Sequence, residues 1–205
     1  MFGIHPLARN RCVRRAMHGI PTQLTQPRHR GRRDWTVEAL EGRTLLSTFT
    51  VHSLGDSSAA GTLRWAIIQA DGTAGANTIN LAVTGTITLH SALPALSNTT
   101  GLTEIKGPGA TKLTVARSGA AGTPDFSIFG VSPDVQVSIL GLTITGGSGG
   151  GGGGGIFNDG TLTVTDSTIA YNSASFVSIP FTFGGGGGID NAFGATLTIT
   201  NSTIA

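Results

Sequence analysis

Cleavage of a polysaccharide needs one of two side-chain arrangements. A hydrolase sets two carboxylates against each other across a cleft. A lyase clusters carboxylates around Ca²⁺ with an Arg or Lys beside them. Residues of these kinds are sparse in this 205-residue chain, of which 12% is charged. From Val135 to Ala205 there is no Lys, Arg or His, and the only acids are Asp159, Asp166 and Asp190. Asp159 and Asp190 hold nearly equivalent places in two copies of one phrase and could approach each other, but they read first as bend residues. His52 and His90 lie upstream, and neither stands next to an acid. Arg64, Lys106, Lys112 and Arg117 read as solvated surface charge. Cys12 is the only cysteine, so neither an intrachain disulfide nor a thiolate metal site can form. Gly185–Asp190 fits a G-G-x-G-x-D calcium phrase once, but the earlier copy has Phe157 in the Asp slot, and a calcium roll needs the Asp in successive repeats. No catalytic residue, metal or cofactor is assigned. The remaining chemistry is aromatic: Tyr171, Phe176, Phe181 and Phe183 gather in residues 171–183 and are candidate glycan contacts.

What must position these residues is a repeat. GGGGGI at 151–156 returns at 184–189, and TLTVTDSTIA at 161–170 returns as TLTITNSTIA at 196–205. A more distant copy, VSILGLTI at 137–144, aligns with LTVTDSTI at 162–169. Thr alternating with Leu, Val or Ile has the period of a half-buried strand, apolar side inward and threonines outward. Asp166-Ser167 and Asn201-Ser202 mark a bend before a second strand carrying Ile169 or Ile204. Ile156 and Ile189 supply a third inward residue, and Asn158 and Asn191 recur at a position able to stack as a hydrogen-bonded ladder. The glycines, 32 in all, read as backbone freedom at crowded bends. Three short strands and three bends per turn predict an all-β fold, a right-handed parallel β-helix whose coils bury their apolar faces only by stacking. Coils of about 22 residues would make about six between residues 76 and 205.

Upstream, Thr78–Leu81, Gly85–Leu89, Leu102–Ile105, Leu113–Val115, Phe126–Phe129 and Val135–Ile139 are expected strands of irregular early coils. Phe49–Val51 is another, in a segment 48–75 that also holds a helix over Leu63–Ala70, with Ser57, Ser58 or Thr62 as its N-cap. Leu63, Ala66, Ile67 and Ala70 share one apolar face, which suits a cap over the first coil. Residues 1–47 differ sharply. They hold nine Arg and three acids, a net of +6, whereas residues 48–205 carry a net of −4. With scattered prolines and no apolar period, this basic arm reads as a disordered leader. It has no apolar core of a secretory signal, and no stretch of the chain is long and apolar enough for a transmembrane helix. The acidic, aromatic-poor coils argue against a nucleic-acid partner.

Two resemblances bear on delivery and fold. Leu40-Glu41-Gly42-Arg43-Thr44-Leu45-Leu46 resembles the LEPR-XLL module, found ahead of large bacterial cell-surface proteins, with Gly42 where the family has Pro. Leu40, Glu41, Arg43, Leu45 and Leu46 match it, and the resemblance implies export or surface sorting. From about Phe49 onward the chain resembles secreted bacterial β-helix proteins of the CSLREA type and the repeats of polymorphic outer-membrane proteins, a pectate-lyase-like solenoid. These resemblances imply an extracellular or cell-surface scaffold, adhesin-like and non-catalytic, with cell-surface glycans as partners. The alternative is a carbohydrate-active enzyme, a polysaccharide lyase or hydrolase on the same fold. No closing cap follows the last repeat in this sequence, which predicts a truncated stack and self-association through its C-terminal coil.

Overall fold

A strand that alternates threonine with Leu, Val or Ile can bury only one face, and here neighbouring coils bury it together. The computed structural model describes residues 46–150, 152–175 and 185–205. Their strands are β1 (Ser47–Val51), β2 (Asn77–Leu81), β3 (Gly85–Leu89), β4 (Thr103–Lys106), β5 (Leu113–Arg117), β6 (Phe129–Val131), β7 (Gln136–Leu140) and β8 (Thr143–Thr145). The series continues with β9 (Ser148–Gly150), β10 (Ile156–Asn158), β11 (Thr161–Thr165), β12 (Thr168–Ala170), β13 (Ser173–Ser175), β14 (Ile189–Asn191), β15 (Thr196–Thr200) and β16 (Thr203–Ile204). They form four sheets, ordered β1-β2-β4-β7-β11-β15, β16-β12-β8-β5-β3, β14-β10-β6 and β13-β9. Every pairing is parallel. Each sheet therefore takes its strands from different coils, six in the longest sheet and two in the shortest, and the fold is a parallel β-helix.

Register follows the sequence repeats. Leu162 stands beside Leu197 and Val137, Ile169 beside Ile144 and Ile204, and Ile156 beside Ile189. In the long sheet one inward column reads Phe49, Ile79, Ile105, Ile139, Val164, Ile199. The four from Ile79 to Val164 have no exposed surface. The bend after this sheet needs a left-handed residue in three consecutive coils, and Gly141 (φ 67°), Asp166 (φ 49°) and Asn201 (φ 47°) fill it. Asx residues tolerate this conformation better than most side chains. At the next position a serine ladder runs along the axis. Leu142 N–H donates to Ser167 Oγ at 3.3 Å, and Ser167 N–H to Ser202 Oγ at 3.1 Å.

The asparagine ladder forms as well. Asn158, fully buried, donates from Nδ2 to Asn191 Oδ1 at 2.6 Å and to the Thr196 carbonyl at 3.0 Å, while its Oδ1 accepts from Gly160 N–H at 3.2 Å. Removing it leaves buried backbone groups unpaired. Asn158→Ala is expected to cost about 2–3 kcal/mol, read as a lowered midpoint in chemical denaturation.

The structure departs from the sequence expectations in several places. A full coil carries a fourth strand, because β9 and β13 extend the 25-residue register past the Ile144–Ile169 pair to Ser148 beside Ser173. The first part of the supposed insertion is thus regular coil. Coils are longer than 22 residues: register partners on neighbouring strands lie between 25 positions apart, as Gln136 and Thr161, and 35, as Thr161 and Thr196. From residue 76 onward the long sheet has five strands rather than six, and its remaining strand, β1, comes from the preceding segment. The strand expected at Phe126–Phe129 is instead β6, Phe129–Val131, because Gly130 pairs with the outward Phe157 and Phe126 packs in the core outside a strand. Leu102 is 42% exposed, and its strand starts one residue later.

Helix α1 (Leu63–Asp71) lies against β1 and β2 at the end of the long sheet and buries Leu63, Ala66, Ile67 and Ala70. Thr62 is its N-cap and accepts from Trp65 N–H at 3.3 Å. Trp65 meets Phe49 of β1 edge to face at 6.1 Å. Its C-terminal carbonyls are tied to the stack by Asn77, whose Nδ2 donates to Ala70 O and Thr73 O. This accounts for an inward polar residue in β2. No helix among the described residues is long and apolar enough to cross a membrane.

Candidate functional site

The charged residues fall into structural and free groups. Arg64 is not solvated surface charge. It forms an ion pair with Asp56 at 2.6 Å, their side chains 14% and 4% exposed, and donates to the carbonyls of Ser91 and Ala92. Asp56 also accepts from His90 N–H at 2.7 Å. The cluster staples the cap helix to the turn after β3. Breaking one partner strands a buried charge, so Arg64→Met is expected to cost about 3 kcal/mol. The double variant Arg64→Met/Asp56→Leu should recover much of that loss, and a denaturation cycle over the four proteins checks it. Arg117 is likewise engaged, with Asp125 at 3.2 Å, Thr123 O at 2.7 Å and its guanidinium 5.8 Å from the Phe126 ring. Asp71 sits at the end of α1, where burial pushes its carboxyl above the usual range and N–H donors from Ser97 and Asn98 partly offset the rise.

The outward faces carry hydroxyls in columns. On the long sheet Thr161, Thr163 and Thr165 stand beside Thr196, Thr198 and Thr200. None of these six hydroxyls has a hydrogen-bond partner among the described residues. On the second sheet Thr86, Thr114, Thr143, Thr168 and Thr203 form one unbroken column. Along each strand β-branching stiffens χ1, so these hydroxyls and methyls are held in fixed rows about 4.8 Å apart.

A groove opens on the outer face of the β14-β10-β6 sheet. Its column reads Ala95, Gly130, Phe157, Asp190, since Phe157 pairs with Gly130 and Asp190 and the Leu96–Val131 bridge places Ala95 beside Gly130. Alternation fixes Phe157 outward, because Ile156 and Asn158 on either side are fully buried. The ring rests over Gly152: a β-carbon there would lie 2.9 Å from Phe157 Cδ2. Beside it is a hollow of about 360 Å³ whose lining includes Leu93, Ala95, Ser127, Gly130 and Phe157. A second of about 180 Å³ shares Ala95, Gly130 and Phe157 and reaches Ser132, Pro133 and Asp159. Asp190 is therefore a strand residue beside Phe157 rather than a bend residue, and Asp159, two places beyond Phe157, is its diagonal neighbour. Among the described residues no ion pair or hydrogen bond engages either carboxylate. Phe193, wholly exposed, projects from the turn after β14.

Of the sequence-predicted site residues, Tyr171 is 90% exposed at the corner between β12 and β13, in the left-handed conformation (φ 56°). It lies between strands of two other sheets and does not line the groove beside Phe157. Phe176, Phe181 and Phe183 lie outside the described residues, as do Leu40, Glu41, Arg43 and Leu45 of the sorting motif; Leu46 is 68% exposed just before β1. Sequence reading missed Phe157 and Phe193. The available signal was one aromatic at an outward place where the repeat partner is Asp190. Among the described residues no group of three His, Cys, Asp or Glu could hold a metal ion.

No family model, no curated protein and no solved structure matches this chain.

Proposed function

We propose that the protein is a non-catalytic scaffold, exported to the cell surface, that contacts glycans through the outward faces of its coils. The observation that carries this reading is the character of those faces. They present threonine hydroxyls in register, without partners among the described residues, beside a groove with an aromatic wall. Hydroxyl rows and an aromatic edge suit the many weak hydrogen bonds and ring contacts of a carbohydrate surface. The match of Leu40, Glu41, Arg43, Leu45 and Leu46 to the LEPR-XLL pattern supports delivery to the surface. Self-association, as a second partner class, belongs to the edge of β14, β15 and β16, where Ile199 and Ile204 are 44% and 42% exposed.

The full chain, applied to a panel of immobilised polysaccharides, is expected to be retained on at least one class while releasing no product. Appearance of unsaturated uronates or new reducing ends would instead favour the carbohydrate-active enzyme. Absence of retention on every class would remove the glycan contact. Deleting residues 1–47 should abolish surface labelling of a tagged chain, and unchanged labelling would remove the sorting role.

A further inference from the structure

We propose that the groove beside Phe157 is a binding site for an amino sugar, a hexopyranose bearing a free, protonated amine within a glycan chain. This rests on the glycan-contacting reading above and names its ligand class. The argument begins with shape. Ala95 and Gly130 occupy the two column places before Phe157, so the sheet steps down beside the ring for two coils, about 10 Å along the axis. The two hollows meet at these three residues, and their volumes of about 360 and 180 Å³ together suit a short saccharide. A pyranose presents a face of C–H groups, which packs on an aromatic ring and on the Ala95 and Leu93 side chains. Ser127 and Ser132 line the two hollows and offer hydroxyls for the sugar's polar edge.

Charge selects among sugars. Asp190 is one strand from Phe157, and Asp159 is two residues along, which puts their Cα atoms about 8 Å apart across a diagonal of the sheet. Among the described residues neither has a hydrogen bond or ion pair, and residues 135–205 supply no Lys, Arg or His to neutralise them. Asp159 lines the smaller hollow and Asp190 stands one strand beyond the ring, so the groove with its aromatic face attracts a cation and repels a uronate. An ammonium group on the sugar forms charge-assisted hydrogen bonds to a carboxylate, whereas its N-acetylated form offers one neutral donor. The same charges make the groove a poor site for the acidic polysaccharides that a pectate-lyase-like shape would suggest.

The test is calorimetric titration of the full chain with a β-1,4-linked glucosamine oligosaccharide, its N-acetylated counterpart and an oligogalacturonate. The glucosamine oligomer is expected to bind at least about tenfold more tightly than either of the others, which is about 1.4 kcal/mol. Phe157→Ala and Asp159→Asn/Asp190→Asn should each weaken it by about tenfold or more. Gly130→Leu, which fills the groove from its floor, should do the same while far-UV circular dichroism stays unchanged. A β-carbon at Gly130 meets only Ala95, at 3.7 Å or beyond, so the larger side chain has room to enter. Equal binding of the amine and acetylated oligomers, or binding indifferent to these substitutions, overturns the proposal. Retention on other glycans with no preference for the amine overturns this site alone and leaves the surface reading standing. Failure to bind any carbohydrate removes both.

Discussion

Val164→Asp is expected to abolish the folded state, while Thr163→Asp, one residue earlier, leaves it nearly intact. Val164 has no exposed surface and lies between Ile139 and Ile199 in the inward column. A carboxylate there has no partner within reach, since the facing residues are aliphatic. An uncompensated buried charge costs several kcal/mol, against a total stability of about 5–15 kcal/mol for an ordinary domain. Thr163 points the other way, with its hydroxyl free, and a charge there stays hydrated. Surface substitutions of this kind cost about 0.5 kcal/mol or less. Ile199→Asp refines the comparison. The repeat alone makes Ile199 the equal of Val164, yet it is 44% exposed. Its variant should fall between the other two in urea denaturation. An identical midpoint for all three would mean that inward and outward faces are misassigned.

Gly154→Ala should be nearly as damaging, for a different reason. A β-carbon at Gly154 would lie 2.2 Å from the Ser173 carbonyl oxygen and 2.7 Å from that of Gly187. Both are backbone atoms of neighbouring segments, so no side chain can swing aside. Gly153 and Gly186 are crowded within their own bends, by the carbonyl oxygens of Ile156 at 2.1 Å and Ile189 at 2.0 Å, three residues on. Overpacking a rigid site costs about 1–3 kcal/mol and can exceed that when backbone must move. We expect at least 3 kcal/mol for Gly154→Ala and about 1 kcal/mol or less for Gly150→Ala, where a β-carbon meets nothing within 4 Å. Thermal unfolding of the two variants checks the contrast. None of Gly152–Gly155 or Gly185–Gly188 has a left-handed φ, so the expectation that these runs supply backbone freedom is corrected. At Gly154, Gly155 and Gly187 the backbone of another segment leaves no room for a β-carbon, and at Gly186 the backbone of its own bend does the same.

These cases mark where sequence reasoning succeeds. The Thr-x-Thr alternation, the Asx bends at Asp166 and Asn201 and the Asn158–Asn191 ladder are local or strictly repeated, and one chain read against itself exposes them. The coil length was legible in the same alignment, at offsets of 25 and 35, but the irregular early coils obscured it. Contacts that join unlike segments leave no such trace. Arg64 and Asp56 are eight positions apart and part of no repeat, so their ion pair appears only once the cap folds onto the turn after β3. The groove escaped for a related reason. Its column draws Ala95, Gly130, Phe157 and Asp190 from four coils, and nothing in their local sequence marks them as neighbours.

The central claim, that in-register coils present fixed outward columns, is tested most directly by proximity labelling on one such column. In a Cys12→Ser background, pyrene attached at Thr163→Cys and Thr198→Cys should give strong excimer emission that does not change on dilution, because these residues are register partners in β11 and β15. The pair Thr163→Cys and Thr86→Cys, on different sheets, should emit as monomer. Monomer emission from the first pair, or equal excimer from both, would contradict the stacked register on which the groove and the hydroxyl columns depend.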